Sequence, residues 1–300
     1  MTTTQPTGPS HPHTPMPEGR SASPGTAGGI PPRVLSIAGT DPTGGAGIHA
    51  DLKAIAACGG YGMAAVTALV AQNTRGVRDV HIPPPAFLQE QLEAVSDDVT
   101  VDAVKTGMLF DADTIGVVAD WLRRTSPPVV VMDPVMVATS GDRLLEEDAE
   151  HAMRDLLPQV HLVTPNVDEL AVLLMDEPAA TWDHLVSQAQ RLAASADVLV
   201  LAKGGHLSER EVRDALVDAD GVRHVVSSPR IRTSSTHGTG CSLSAAMATL
   251  RVRHGAWEPA LSAAKPWLAR AIEDGQHLQV GSGNGPISHF WELWEAAAGR

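Results

Sequence analysis

Apolar and polar positions along the chain change period at regular intervals, and the alternation starts only after residue 32. Residues 34–38 form a short apolar run closed by Gly39, the pattern of a strand buried on both faces. Residues 48–58 place Ile48, Leu52 and Ile55 on one helical face, and Gly59 and Gly60 supply a C-terminal stop. Residues 63–70 read as a second strand. Helices are then expected over 87–95, 114–124, 148–157, 167–174 and 184–194, interleaved with strands over 101–105, 129–132, 161–163 and 198–202. A hairpin over 214–226 and helices over 240–253 and 259–274 complete the pattern. Strands alternating with helices predict an α/β fold: a central, mainly parallel sheet with helices on both faces.

Composition narrows this picture. The chain of 300 residues is 43% hydrophobic, enough for one large core, and the even spacing favours one domain over 33–300. Residues 1–32 are rich in Pro, Gly, Ser and Thr and are expected to form a disordered tail, with His11 and His13 solvated in it. Aromatic residues make up only 3%, so the core must rest on Ala, Val, Leu, Ile and Met, which suits helices laid closely on a parallel sheet. A net charge of −13 argues against nucleic acid or an anionic membrane as partner. No apolar leader pattern precedes the two cysteines, Cys58 and Cys241, and no apolar stretch is long enough to span a bilayer. A reduced, cytoplasmic protein is the expectation.

In open α/β sheets ligands bind beyond the carboxyl ends of the strands, so the segments after each strand carry the candidate chemistry. The first strand leads into a glycine-rich loop, 39–47, that is neither a Walker A sequence nor a dinucleotide fingerprint. Gln72 follows the second strand; its amide has one acceptor and two donors, which suits an aminopyrimidine edge, as it would a strand cap. Asp133 directly follows the strand over 129–132, where a carboxylate can serve Mg²⁺ or phosphate. Asn166 and Glu169, three apart, share a face at a helix start; a capping box predicts the same spacing. Lys203 could neutralise phosphate oxygens or lie solvated beside a glycine turn. Residues 236–241, Thr-His-Gly-Thr-Gly-Cys, open a long helix, and free amides there would surround an anion. Cys241 at that helix start is expected to have a depressed pKa, whereas Cys58 in an Ala-rich helix reads as core.

Taken together, the stretches AGTDPTGGAGIHADLKA, TALVAQNTRGV, VDAVKTGML, MDPVM followed by TSGD, LVTPNVDEL, KGGH and THGTGCSLSAA closely resemble the bacterial hydroxymethylpyrimidine/phosphomethylpyrimidine kinases of the ribokinase superfamily, in the family's order. The resemblance covers about residues 33–290; Thr43 and Thr106 vary within motifs without removing a functional group. It implies a single ribokinase-like domain, ATP and Mg²⁺ as cofactors, a small pyrimidine as substrate, and suggests a homodimer. By position it implies that Gly39, Ala46, Asp51, Val70, Gln72 and Met108 bind the pyrimidine. It assigns Asp133 and Glu169, with Asn166, to Mg²⁺ and phosphate, and Lys203 to phosphate. Gly238, Thr239 and Gly240 would form the anion hole, with Cys241 standing where most superfamily relatives carry an Asp base. The expected activity is phosphorylation of 4-amino-5-hydroxymethyl-2-methylpyrimidine and then of its monophosphate. A pyridoxal kinase or dual-substrate enzyme, and a non-catalytic pyrimidine sensor, are the alternatives.

Overall fold

The computed structural model describes residues 29–136 and 149–299; the expected tail up to residue 28 and the stretch 139–142 lie outside the described residues. In chain order the elements are β1 (Arg33–Ala38), α1 (Gly47–Ala57), β2 (Tyr61–Val66), β3 (Leu69–Asn73), β4 (Gly76–His81), α2 (Pro85–Ser96), β5 (Ala103–Thr106), α3 (Ala112–Thr125), β6 (Val130–Met132), α4 (Ala149–Leu156), β7 (Leu162–Val163), α5 (Val167–Leu174), α6 (Trp182–Ala196), β8 (Leu199–Lys203), β9 (Glu211–Asp218), β10 (Gly221–Pro229), α7 (Thr239–His254), α8 (Trp257–Asp274) and α9 (Trp291–Ala297).

Eight strands form one sheet in the order β10-β9-β8-β7-β6-β5-β1-β2. From β2 through β8 the pairing is parallel; β9 and β10 join antiparallel at one edge. The parallel strands are buried on both faces, which is why they read as continuous apolar runs. Leu35, Ile37, Val104, Val130 and Met132 point to one core, shared with α2 to α6 and centred near Trp121. Val34, Ala103, Val131 and Leu162 point to the other, shared with α1, α7 and α8. The alternation of side chains along each strand thus divides one sheet between two helical layers. Local signals set the helix ends. Asp111 caps α3 by accepting from the Thr114 N–H at 2.7 Å, and Thr181 caps α6 by accepting from His184.

Two expectations change, and one further element was not expected. The strand expected over 63–70 is two strands: β2 stops at Val66, and β3 leaves the sheet to pair antiparallel with β4. The break lies at Thr67 and Ala68, where the Thr67 hydroxyl donates to the Met108 carbonyl (2.7 Å) and the Thr40 N–H donates to the Ala68 carbonyl (2.9 Å). Continuous apolar character hid this turn because Ala68 and Val70 stay buried, in a small separate cluster with Met108. The hairpin extends beyond 214–226 to Glu211 and Pro229. Finally, α9 is a short helix with no buried residues, whose Trp291 packs on the core edge and whose Trp294 meets Phe290.

Candidate active site

The order in which strands are added reverses between β1 and β5, all of them running parallel: β2 lies on one side of β1, while β5 to β8 advance on the other. At such a switch point the loops leaving adjacent strands separate and open a crevice. A cleft of about 570 Å³ lies there, the size of a small-ligand site. Its wall includes Gly39, Ala46, Val70, Gln72, Met108, Asp133, Asn166, Glu169, Lys203, Gly238, Thr239, Gly240 and Cys241. These segments meet because β1, β5, β6, β7 and β8 all end on this side of the sheet, and the stretch 230–238 after β10 brings the start of α7 across to them.

One end of the cleft is apolar with a single amide. Val70 and Met108 are buried in it, and Gln72 lies on β3, which is stitched to the first glycine-rich loop by the Val70 N–H donating to the Thr40 hydroxyl (3.0 Å). The other end is built from the loop after β8, the end of β10 and helix α8. There Lys265 pairs with Asp214 at 2.6 Å, both nearly buried. Arg230 donates to the carbonyls of Gly205, Leu207 and Glu209 and so fixes the loop that follows Lys203.

Between the two ends sits the start of α7. Gly238 is its N-cap at φ +80°, without a side-chain cap. The helical ladder begins with the Ser242 N–H on the Gly238 carbonyl (2.9 Å), leaving the Gly240 and Cys241 amides ahead of it. Gly238 is required by contact as well as by φ: a Cβ there would lie 1.7 Å from the Gly45 carbonyl oxygen. Lys203 Nζ stands 3.6 Å from Asp133 Oδ1, which also accepts from the Thr164 hydroxyl at 3.1 Å.

Asn166 and Glu169 form the capping box that their spacing allowed: the Glu169 N–H donates to Asn166 Oδ1 (2.9 Å) and the Asn166 N–H to Glu169 Oε2 (2.7 Å). They line the cleft nonetheless, so capping and site geometry coincide. Burial raises the Glu169 carboxyl; Lys203 opposes this and the charge of Asp133 adds to it. Among the described residues no group of three His, Cys, Asp or Glu could hold a metal unaided. Two hard oxygen donors beside an open cleft fit Mg²⁺, which keeps waters and takes phosphate oxygens as its other ligands.

Two expectations fail on the geometry. Asp51, expected against the substrate, is wholly buried behind the cleft wall, where its Oδ2 accepts from the Ser36 hydroxyl (2.6 Å) and from Lys105 Nζ (2.9 Å). The residue of that pair which lines the cleft is Lys105, which sequence reasoning passed over. Its signal was a lone cation inside an otherwise apolar strand, which can be buried only against a carboxylate. Burial lowers the Lys105 ammonium, but Asp51, Cys241 and Asp133 outweigh it and raise its pKa.

The second failure is the expected depression of Cys241. The residue is partly open to the cleft, but protein surrounds its thiol, and burial pushes it up to about 12. Lys105 and the Gly47 N–H pull it down, while Asp51 and Asp133 push it further up. A helix N-terminus contributes on the order of 1 kcal/mol, less than loss of solvation beside two carboxylates. Cys58 is buried, as expected, with its thiol also raised to about 12 by burial.

A doubly wound sheet with glycine-rich loops, a lysine and an open helix start gathered at its switch point defines a ribokinase-like α/β fold of the small-molecule kinase type. The comparisons narrow it. The profile of the family described as phosphomethylpyrimidine kinase matches residues 41–288, and the chain belongs to that family. It is 48% identical over 261 residues to the hydroxymethylpyrimidine/phosphomethylpyrimidine kinase of Escherichia coli, covering 87% of this chain and 98% of the relative. It is 55% identical over 262 residues to the thiamine biosynthesis multifunctional protein ThiED of Corynebacterium efficiens, covering 86% of this chain but only 35% of that longer protein. Among solved structures it resembles the ADP complex of Bacillus subtilis pyridoxal kinase (TM-score 0.78, 33% identity, 87% of this chain and 98% of that one). It also resembles the phosphomethylpyrimidine kinase of Clostridium difficile (TM-score 0.71, 32% identity, 80% and 99%). Among the described residues no helix is long and apolar enough to cross a membrane.

Proposed function

We propose that the chain transfers the γ-phosphoryl group of MgATP to the hydroxymethyl oxygen of 4-amino-5-hydroxymethyl-2-methylpyrimidine, and then phosphorylates the resulting monophosphate, in thiamine biosynthesis. The observation that carries this reading is the meeting of an apolar, amide-bearing pocket with an anion-binding helix start, a lysine and two carboxylates in one cleft. The family membership supplies the substrate class. On this reading residues 33–300 are one kinase domain working in the cytoplasm as a homodimer, and 1–32 are a tail outside it.

Each residue's task follows from its place. Val70 and Met108 hold the ring's apolar faces and Gln72 its aminopyrimidine edge; Gly39 and Ala46 let the backbone approach it. The turn Gly238-Thr239-Gly240 holds the transferring phosphoryl group at the start of α7, where the Gly240 and Cys241 amides are free while the Thr239 N–H already donates to the Thr236 carbonyl (3.3 Å), and Lys203 neutralises its oxygens. Asp133 and Glu169 would hold Mg²⁺, which would supply charge neutralisation at the phosphates; Asn166 orients Glu169. Phosphoryl transfer needs positioning and charge neutralisation above all. Cys241 is the proton acceptor nearest the phosphoryl site. Burial holds its sulfur as thiol, Lys105 and the Gly47 amide oppose that, and on this reading the sulfur must give up its proton before it can accept that of the hydroxyl.

The test is ADP release by purified chain with MgATP and each acceptor. Turnover is expected with the hydroxymethylpyrimidine and its monophosphate, at a higher kcat/KM than with pyridoxal. Pyridoxal is the competing acceptor because the resembling structures include pyridoxal kinases. Preference for pyridoxal would replace the substrate, and binding without ADP release would make the chain a sensor.

A further inference from the structure

Two loops that belong to different ligands in this reading are tied together by one buried carboxylate. Asp41 lies in the first glycine-rich loop and is completely buried. It accepts from the Thr43 N–H (2.9 Å), the Thr43 hydroxyl (2.8 Å), the Gly45 N–H (3.0 Å) and the Ala46 N–H (2.8 Å). These four bonds wrap its own loop around it. A fifth comes from His237 Nε2 at 2.8 Å, across 196 residues of sequence. His237 immediately precedes Gly238, the N-cap of α7, so the fifth bond joins the acceptor loop to the anion-binding turn.

The contact is steric as well as polar. A Cβ on Gly45 would lie 2.5 Å from His237 Cδ2, and the Gly238 backbone rests on the Gly45 carbonyl. Neither loop can shift without displacing the other. Asp41 is held ionised: burial would raise its pKa, but the hydrogen bonds from His237 and Thr43 override it.

We propose that Asp41 and His237 are a positioning pair that sets the distance between the acceptor hydroxyl and the phosphoryl group it attacks. The inference rests on the kinase reading above. It follows from the demand of in-line transfer: each loop can bind its own ligand alone, but reaction requires the two ligands at a fixed separation, and a misplacement of about 1 Å can cost on the order of a hundredfold. Loss of the pair should therefore appear in kcat while both binding constants stay nearly unchanged. A residue that only stabilised the fold would lower Tm and leave kcat below Tm intact.

The experiment compares His237→Ala, His237→Gln and the unsubstituted chain by steady-state kinetics below the lowest Tm, with Kd for ADP and for the hydroxymethylpyrimidine. His237→Ala is expected to lose roughly 10- to 100-fold in kcat with each Kd within about threefold. Gln can place an amide N–H where His237 Nε2 stands, so His237→Gln should recover kcat to within about threefold of the unsubstituted chain. The proposal is overturned if His237→Ala keeps kcat within threefold, if His237→Gln is as slow as His237→Ala, or if the loss lies in binding. Should His237→Ala not fold, Asp41→Asn makes the same comparison: it removes the charge and replaces one of the two accepting oxygens by a donating NH2, so it should cost at least about tenfold in kcat, and an unchanged kcat overturns the pair. An unsubstituted chain that does not turn over defeats the kinase reading itself, an outcome separate from an active chain with silent variants.

Discussion

Cys241 sits where position in a helix and position in a charge cluster make opposite demands. The helix start favours thiolate; the crowding of Asp51 and Asp133 around a desolvated sulfur favours thiol, and desolvation dominates. At pH 7.5 the native chain should therefore react with iodoacetamide on the order of tenfold or more slowly than free cysteine, because only thiolate is the nucleophile. Rapid modification of Cys241, followed by mass spectrometry, would contradict the raised value. On the proposed role as proton acceptor, Cys241→Ala is expected to lose roughly 10²- to 10⁴-fold in kcat with Kd for the pyrimidine little changed. A loss of only a few-fold would remove Cys241 from the proton path and leave the backbone amides as the phosphoryl site. The sequence placed the thiol correctly in the cleft but could not weigh its surroundings. Asp51 and Lys105 are 54 residues apart; the pairing of β1 with β5 sets Lys105 beside Ser36, and the packing of α1 on β1 brings Asp51 to both.

Element-scale features were legible where one local rule decided them. Parallel strands announced themselves as apolar runs; α3 and α6 were found from their apolar faces but start two residues before the expected 114 and 184, at caps Asp111 and Thr181 that the apolar pattern does not mark. The turn between β2 and β3 was not legible, because a tertiary bond from Thr40 to Ala68 ends the strand without any local breaker. That turn matters to the site: it carries Val70 and Gln72 away from the sheet and over the first glycine-rich loop. The junction of that loop with α7 depends on bare backbone at Gly238. Gly238→Ala places a methyl 1.7 Å from the Gly45 carbonyl oxygen at a φ that side chains disfavour. The expected outcome is at least a hundredfold loss of kcat with unchanged far-ultraviolet circular dichroism, since the loops must part while the helices persist. Activity within tenfold of the unsubstituted chain would show that the two loops can separate harmlessly.

For the molecule as a whole, a buried histidine adds to the acid sensitivity that depressed carboxylates such as Asp41 and Asp102 already confer. His289 donates or accepts at Ser242 (2.8 Å) beneath the start of α7, and burial lowers its pKa to about 3, helped by the charge of Lys53. Folded chain keeps it neutral while unfolded chain protonates it below about pH 6.5, so its share of stability is present above that pH and is lost as pH falls toward 3. Glu169 acts in the opposite direction, because its raised carboxyl takes up a proton more readily when folded. The difference between variants isolates the histidine: between pH 7 and pH 5 the unsubstituted chain should lose about 2 kcal/mol more unfolding free energy than His289→Gln, read from urea titrations. Equal losses would show that His289 is solvated. The joining of Asp41 to His237 has one more consequence, for the order in which the molecule comes into being. Strand β1 is made first yet lies inside the sheet, and one of its flanks stays bare until β5 emerges some 70 residues later. Its catalytic loop waits longer still, for a histidine 196 positions downstream. During vectorial synthesis the ribosome must release most of the chain before the two loops can meet. Every shorter nascent product carries the acceptor loop without its partner, so premature termination yields inert polypeptide rather than a partly working enzyme.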